Sequence, residues 1–193
     1  PATVASRAFL EVRTRVTTWN SRYSPWLVVA IGAVLTGVVV AIWPAAAGNG
    51  NDALRRLAGS VGTATTLAVA MLAGKSLGTT SAFGAKAPGG ALTPTMTVAA
   101  GASLLVAVAL RNGGVADPNL WAVAVLAGSV AIAVGLRSPI TAVLLVPEMM
   151  GHFTIIPAAT AVVVVATALD RLIDVGARSW GAPPPDAIQD EDG

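Results

Sequence analysis

The chain has 193 residues, 54% of them apolar and only 11% charged, with a mean hydropathy of +0.72. That balance excludes a soluble domain, whose charged surface encloses an apolar core, and points to a membrane protein. The formal net charge of +2 is too small and scattered to suggest nucleic acid, and the absence of cysteine excludes disulfides, thiolate metal sites and a cysteine nucleophile.

Charge-free runs at 26–43, 57–74, 87–110, 118–136 and 153–169 approach or exceed the length that crosses a bilayer core. They predict an all-α, polytopic membrane protein with about five long helices and some shorter pieces. Residues 1–24 carry Arg7, Arg13, Arg15 and Arg22 against Glu11, and read as a basic cytoplasmic segment or the end of a preceding helix. The chain begins at Pro1, and its first apolar run follows a basic stretch too long for the n-region of a signal peptide. A piece of a longer protein is therefore expected.

A transmembrane domain is predicted over 25–173. Its first span, 26–43, has Trp26 and Trp43 as interfacial anchors, a small-residue strip from Gly32 to Gly37, and Pro44 as its stop. Residues 45–52 then form an external loop, and 53–59 a short helix bearing the solvated Arg55 and Arg56. The next predicted helix, 61–83, is rich in small and hydroxyl residues that let backbones approach closely. Lys75 lies inside it, either facing a wet pathway or snorkelling to the interface.

The stretch 84–110 is the most informative. Pro88, Gly89 and Gly90 interrupt the helix, which restarts at about Ala91 with Pro94 tolerated in its first turn. A helix start has unpaired N–H groups and the positive end of the dipole, so an anion site made of main chain is predicted here. A merely kinked transmembrane helix is the alternative. Asn112-Gly113-Gly114 marks a turn, Asp117-Pro118-Asn119 a helix start, and 120–136 a span. After Arg137-Ser138-Pro139, residues 140–150 are too short to cross and contain Pro147, reading as a half-helix. The last span is 155–173. Residues 174–193, with Pro183-Pro184-Pro185 and Asp190-Glu191-Asp192, read as a disordered, cytoplasmic, acidic tail.

Two segments together resemble the CLC family of chloride channels and chloride/proton exchangers. APGGALTP, 87–94, is similar to the family's Gly-x-Phe-x-Pro anion motif. RSPITAVLLVPEMMGHFTIIP, 137–157, is similar to its basic-x-Pro-[Leu/Ile]-Thr start of a short helix ending in Glu-Met. The resemblance covers about 9–173 and implies a homodimer in which each subunit has its own pore and two inverted-topology repeats. This chain would be the second repeat, with broken and half-length helices, and the missing first repeat would be a partner.

The resemblance further implies a multi-pass protein of the cell (inner) membrane that moves chloride or a similar anion through a voltage-gated-type channel or antiporter. It implies no enzyme activity, cofactor, metal or nucleic acid. Carried over to this sequence, the anion motif is Gly90, Ala91, Leu92, Thr93 and Pro94, with the Ala91 and Leu92 amides donating to chloride. Leu92 stands where the family has phenylalanine, Lys75 matches a basic position on the preceding helix, and Lys86 adds a nearby positive charge outside the usual pattern.

The family's Gly-[Arg/Lys]-Glu-Gly-Pro gating motif and its Ser-containing anion motif are absent, and Glu148 is not the gating glutamate. Glu148 reads as an ion-pair or helix-end group, or as a proton carrier. His152 reads as a solvated imidazole in a loop, and Trp180, near the position of the family's pore tyrosine, as an interfacial residue or an N–H donor. Two functions of other kinds remain open: a helical assembly module without transport, and a half-transporter for another small anion.

Overall fold

The computed structural model describes residues 1–20, 23–47, 64–85, 87 and 90–179, and among these every regular element is helical. Helix α1 is Ala2–Asn20 and α2 is Pro25–Ile42, followed by a single 3-10 turn, Pro44–Ala46. Helix α3 runs as Ala64–Val69, a π-helical turn Ala70–Gly74, and Lys75–Gly84. Then come α4 (Leu92–Asn112), α5 (Leu120–Gly135), α6 (Pro139–Met150), a 3-10 turn Phe153–Ile155, and α7 (Ile156–Ser179). The helix expected at 53–59 lies outside the described residues.

Local chemistry explains most boundaries. Pro25 and Pro139 each begin a helix, where a missing N–H costs nothing. Asn119 caps α5 by accepting a bond from the Ala122 amide at 3.1 Å. Helix α6 accommodates Pro147 one turn from its end, and Gly151, with φ +70°, closes it while the His152 amide donates to the Pro147 carbonyl at 3.1 Å. This six-to-one closure satisfies carbonyls that would otherwise be orphaned.

Helices α4 and α5 pack against each other at the centre and are surrounded by α1, α3, α6 and α7. Leu104 of α4 and Val125 and Ile132 of α5 are fully enclosed, in one cluster with Met71 of α3, Val146 of α6 and Val163 of α7. Among the described residues three helical segments, Pro25–Ile42, Leu92–Asn112 and Phe153–Ile173, are long and apolar enough to cross a membrane, against the five or so long helices expected. The first and last of these are barely buried, 17% and 11%, whereas the middle one is 61% buried. High hydropathy thus does not decide the surroundings, because apolar side chains suit lipid and protein alike.

Three details depart from the sequence reading. The stretch 1–24 is largely helix, and α1 packs Ala2, Ser6 and Phe9, one face at helical spacing, into the bundle. Its Arg7 pairs with Asp170 of α7. Helix α7 runs on to Ser179 instead of ending at 173, since no proline interrupts it before Pro183; residues 180–193 lie outside the described set. In the Gly32 to Gly37 strip only Gly32 is used for close approach. A Cβ there would meet Ala85 Cβ at 2.5 Å and the Ser81 carbonyl at 2.8 Å, while one at Gly37 would meet nothing within 4 Å.

Candidate anion site

Helix α3 ends at Gly84, where the Ala85 amide donates to Ser81 and the Ala87 amide to Ala82, both inside the helix. Helix α4 begins anew at Leu92, with Ala91 as its N-cap residue. The Ala91 carbonyl accepts both the Thr95 amide at 3.0 Å and the Thr95 hydroxyl at 2.6 Å, which fixes the first turn. The N–H groups of Ala91, Leu92 and Thr93 have no acceptor among the described residues, as helix geometry requires of a first turn, and Pro94 has no N–H.

Beside this helix start lies a cavity of about 310 Å³ between α2, α3 and the beginning of α4. Its wall includes Gly90 and Pro94 from the broken segment, Lys75 and Thr79 from α3, Thr36 from α2, and Ala46 from the 3-10 turn. Lys75 is buried, and its Nζ donates to the Ala46 carbonyl at 3.2 Å. Thr36 also joins α2 to α3, with its Oγ1 3.0 Å from the Ser81 hydroxyl and 3.3 Å from the Gly78 carbonyl. The cavity therefore combines one cation, two threonines and a helix start whose dipole favours negative charge.

Of the residues named from the sequence, Lys75, Gly90 and Pro94 share this wall. Ala91, Leu92 and Thr93 are half-buried in the adjoining turn and do not line the cavity itself. Lys86 and Trp180 lie outside the described residues. Among the described residues nothing lies within 4 Å of where a Cβ on Gly90 would sit.

Glu148 has an exposed side chain that makes no ion pair or hydrogen bond with the described residues, in contrast to the pairing expected of it. His152 is exposed but meets the Trp121 ring edge-on, centroids 4.8 Å apart at 69°. Neither residue lines the cavity.

A sequence model of the voltage gated chloride channel family matches residues 2–171, most of the chain. The chain belongs to the voltage-gated chloride channel family. Members of this CLC family are channels and transporters rather than enzymes, and the match makes this chain an integral membrane protein of anion transport. Comparisons with curated proteins and with solved structures gave no match.

Two features beside this cavity escaped the sequence reading. The π-helical turn Ala70–Gly74 immediately precedes Lys75 and changes the direction in which the following side chains leave the helix. Nothing in Ala-Met-Leu-Ala-Gly marks such a turn, which contains no proline. The other is the Ala46 carbonyl, which accepts from Lys75 at the cavity wall, and backbone groups leave no signature in composition. Trp43, expected as an interfacial anchor, is half-buried and folds back onto Gly74, its ring carbon Cε3 3.3 Å from where a Cβ would be.

Proposed function

We propose that this chain provides an anion-binding station in the pathway of a voltage-gated-type chloride channel or chloride/proton antiporter of the cell membrane. The ion is held by the main-chain amides of Ala91 and Leu92 at the start of α4, and Gly90, Thr93 and Pro94 shape the turn. Lys75 raises the local positive potential, and Lys86, a few residues before the motif in sequence, adds to it. Backbone dipoles and one nearby cation attract an anion yet let it leave, which conduction requires. A single observation carries the reading: Lys75, distant in sequence, lines the same cavity as Gly90 and Pro94.

The functional unit in this reading is a homodimer in which a first repeat completes each pore. Chloride efflux from liposomes containing the full-length protein tests it. Lys75→Met should raise the chloride concentration for half-maximal flux several-fold, and bromide should bind beside the Ala91 and Leu92 amides in a crystal of that protein. Unaltered flux in Lys75→Met together with no halide at that turn would refute the site. Isotope competition between chloride and small carboxylates separates chloride transport from that of another small anion.

The exposed apolar faces of α2 and α7 support a second reading, a helical assembly module without transport. Co-expression with a first repeat distinguishes the two, since only the transport reading predicts restored chloride flux.

A further inference from the structure

Lys75 is the one charged residue among the buried described residues, and a lysine carries its charge on a flexible four-carbon stem. Something must aim it. The residue before it, Gly74, ends the π-helical turn and is itself buried. A Cβ on Gly74 would lie 3.0 Å from the Ala46 Cβ, 3.3 Å from the Trp43 Cβ and 3.3 Å from the Trp43 ring. The turn Pro44–Ala46 is thus seated directly on bare backbone. It is held in shape by its own bonds, Trp43 amide to Val39 carbonyl and Ala46 amide to Trp43 carbonyl, both 2.8 Å. Seated there, it brings the Ala46 carbonyl within 3.2 Å of Lys75 Nζ.

We propose that Gly74 is a positioning residue for the anion site. Its missing side chain lets the turn that follows α2 dock on α3, and the docked turn uses the Ala46 carbonyl to hold the Lys75 ammonium at the cavity wall. A carbonyl suits this task because it accepts one of three ammonium donors without cancelling the charge, whereas a carboxylate would neutralise it. The inference rests on the anion-site reading above and extends it to residues that do not touch the ion.

The experiment is a double-mutant cycle in the full-length protein reconstituted in liposomes, reading half-saturating chloride and maximal flux separately. Gly74→Ala displaces the turn and should raise half-saturating chloride about three- to tenfold, the scale of moving a unit charge a few ångströms in a partly screened site. In a Lys75→Met background the same substitution should add nothing, because no charge is left to aim. Ala46→Gly removes the methyl group at the 3.0 Å contact and should restore part of the loss caused by Gly74→Ala. Gly37→Ala, at a position that does not line the cavity and whose Cβ would meet nothing within 4 Å among the described residues, should leave half-saturation unchanged.

An unchanged half-saturation in Gly74→Ala, or an equal increase on both backgrounds, overturns the positioning role. If Gly74→Ala is not recovered folded, Trp43→Leu loosens the same seat without adding volume and must meet the same two criteria. The failure of the anion-site reading has its own signature: Lys75→Met alone would then change nothing, and the positioning role would fall with it.

Discussion

Helix α4 crosses the π-helical turn of α3 at close range at Gly101, in the middle of α4. A Cβ at this position would sit 2.6 Å from the Leu72 amide nitrogen, 2.8 Å from the Ala68 carbonyl oxygen and 3.0 Å from the Met71 carbonyl carbon. These distances are up to about 1 Å inside the separation of roughly 3.5 Å at which non-bonded heavy atoms rest. All three are main-chain atoms, so no rotamer change can relieve the overlap, and the two helices must move apart. Overpacking costs about 1–3 kcal/mol, and Gly101→Ala should fall near the upper end because the core around it, including Leu104 and Met71, is fully enclosed. Thermal unfolding in detergent, followed by loss of monodisperse protein, measures this. Gly37→Ala is the matched comparison: its Cβ would meet nothing within 4 Å, so only helix propensity acts and stability should rise by about 0.5–1 kcal/mol. A neutral Gly101→Ala, or equal losses at both glycines, would refute the close crossing.

Three further outcomes are expected. Asn119→Ala removes the cap that accepts the Ala122 amide and should cost about 1 kcal/mol in the same unfolding assay, with Asn119→Asp close to the parent. Arg137 has φ +52°, in the left-handed region, so Arg137→Gly should be tolerated or slightly stabilising. Arg137→Val should be the less stable of the two by about 1–2 kcal/mol, and equal stability of the pair would argue against that backbone conformation. Thr36→Val and Ser81→Ala each remove one side of the α2–α3 hydroxyl contact. Their double-mutant cycle should show a coupling of about 0.6 kcal/mol, and strict additivity would show that the contact contributes nothing.

The short-range features of this protein were readable from its residues. Proline at a first helical position, asparagine before Leu120, glycine after Met150 and uninterrupted apolar runs act within a few residues of themselves, so the all-helical class, half-length α6 and the break before α4 followed from sequence. The APGGALTP and RSPIT segments likewise pointed to the CLC family, to which the chain belongs. What lipid and protein treat alike was not readable. Helices α2 and α5 are both almost wholly apolar, yet α2 is largely exposed and α5 enclosed, and only the neighbours each helix finds decide this. The same holds for Lys75 and Trp43. By sequence Lys75 fits either a wet pathway or the interface, and Trp43 reads as an interfacial anchor; each is turned inward by contacts with chain far away in sequence, the Ala46 carbonyl for one and the bare backbone of Gly74 for the other. Local punctuation fixes where a helix starts and stops because its causes are steric and near at hand. The direction in which a charged or aromatic side chain leaves that helix depends on a π-helical turn and a docked loop, which exist only once the helices have packed.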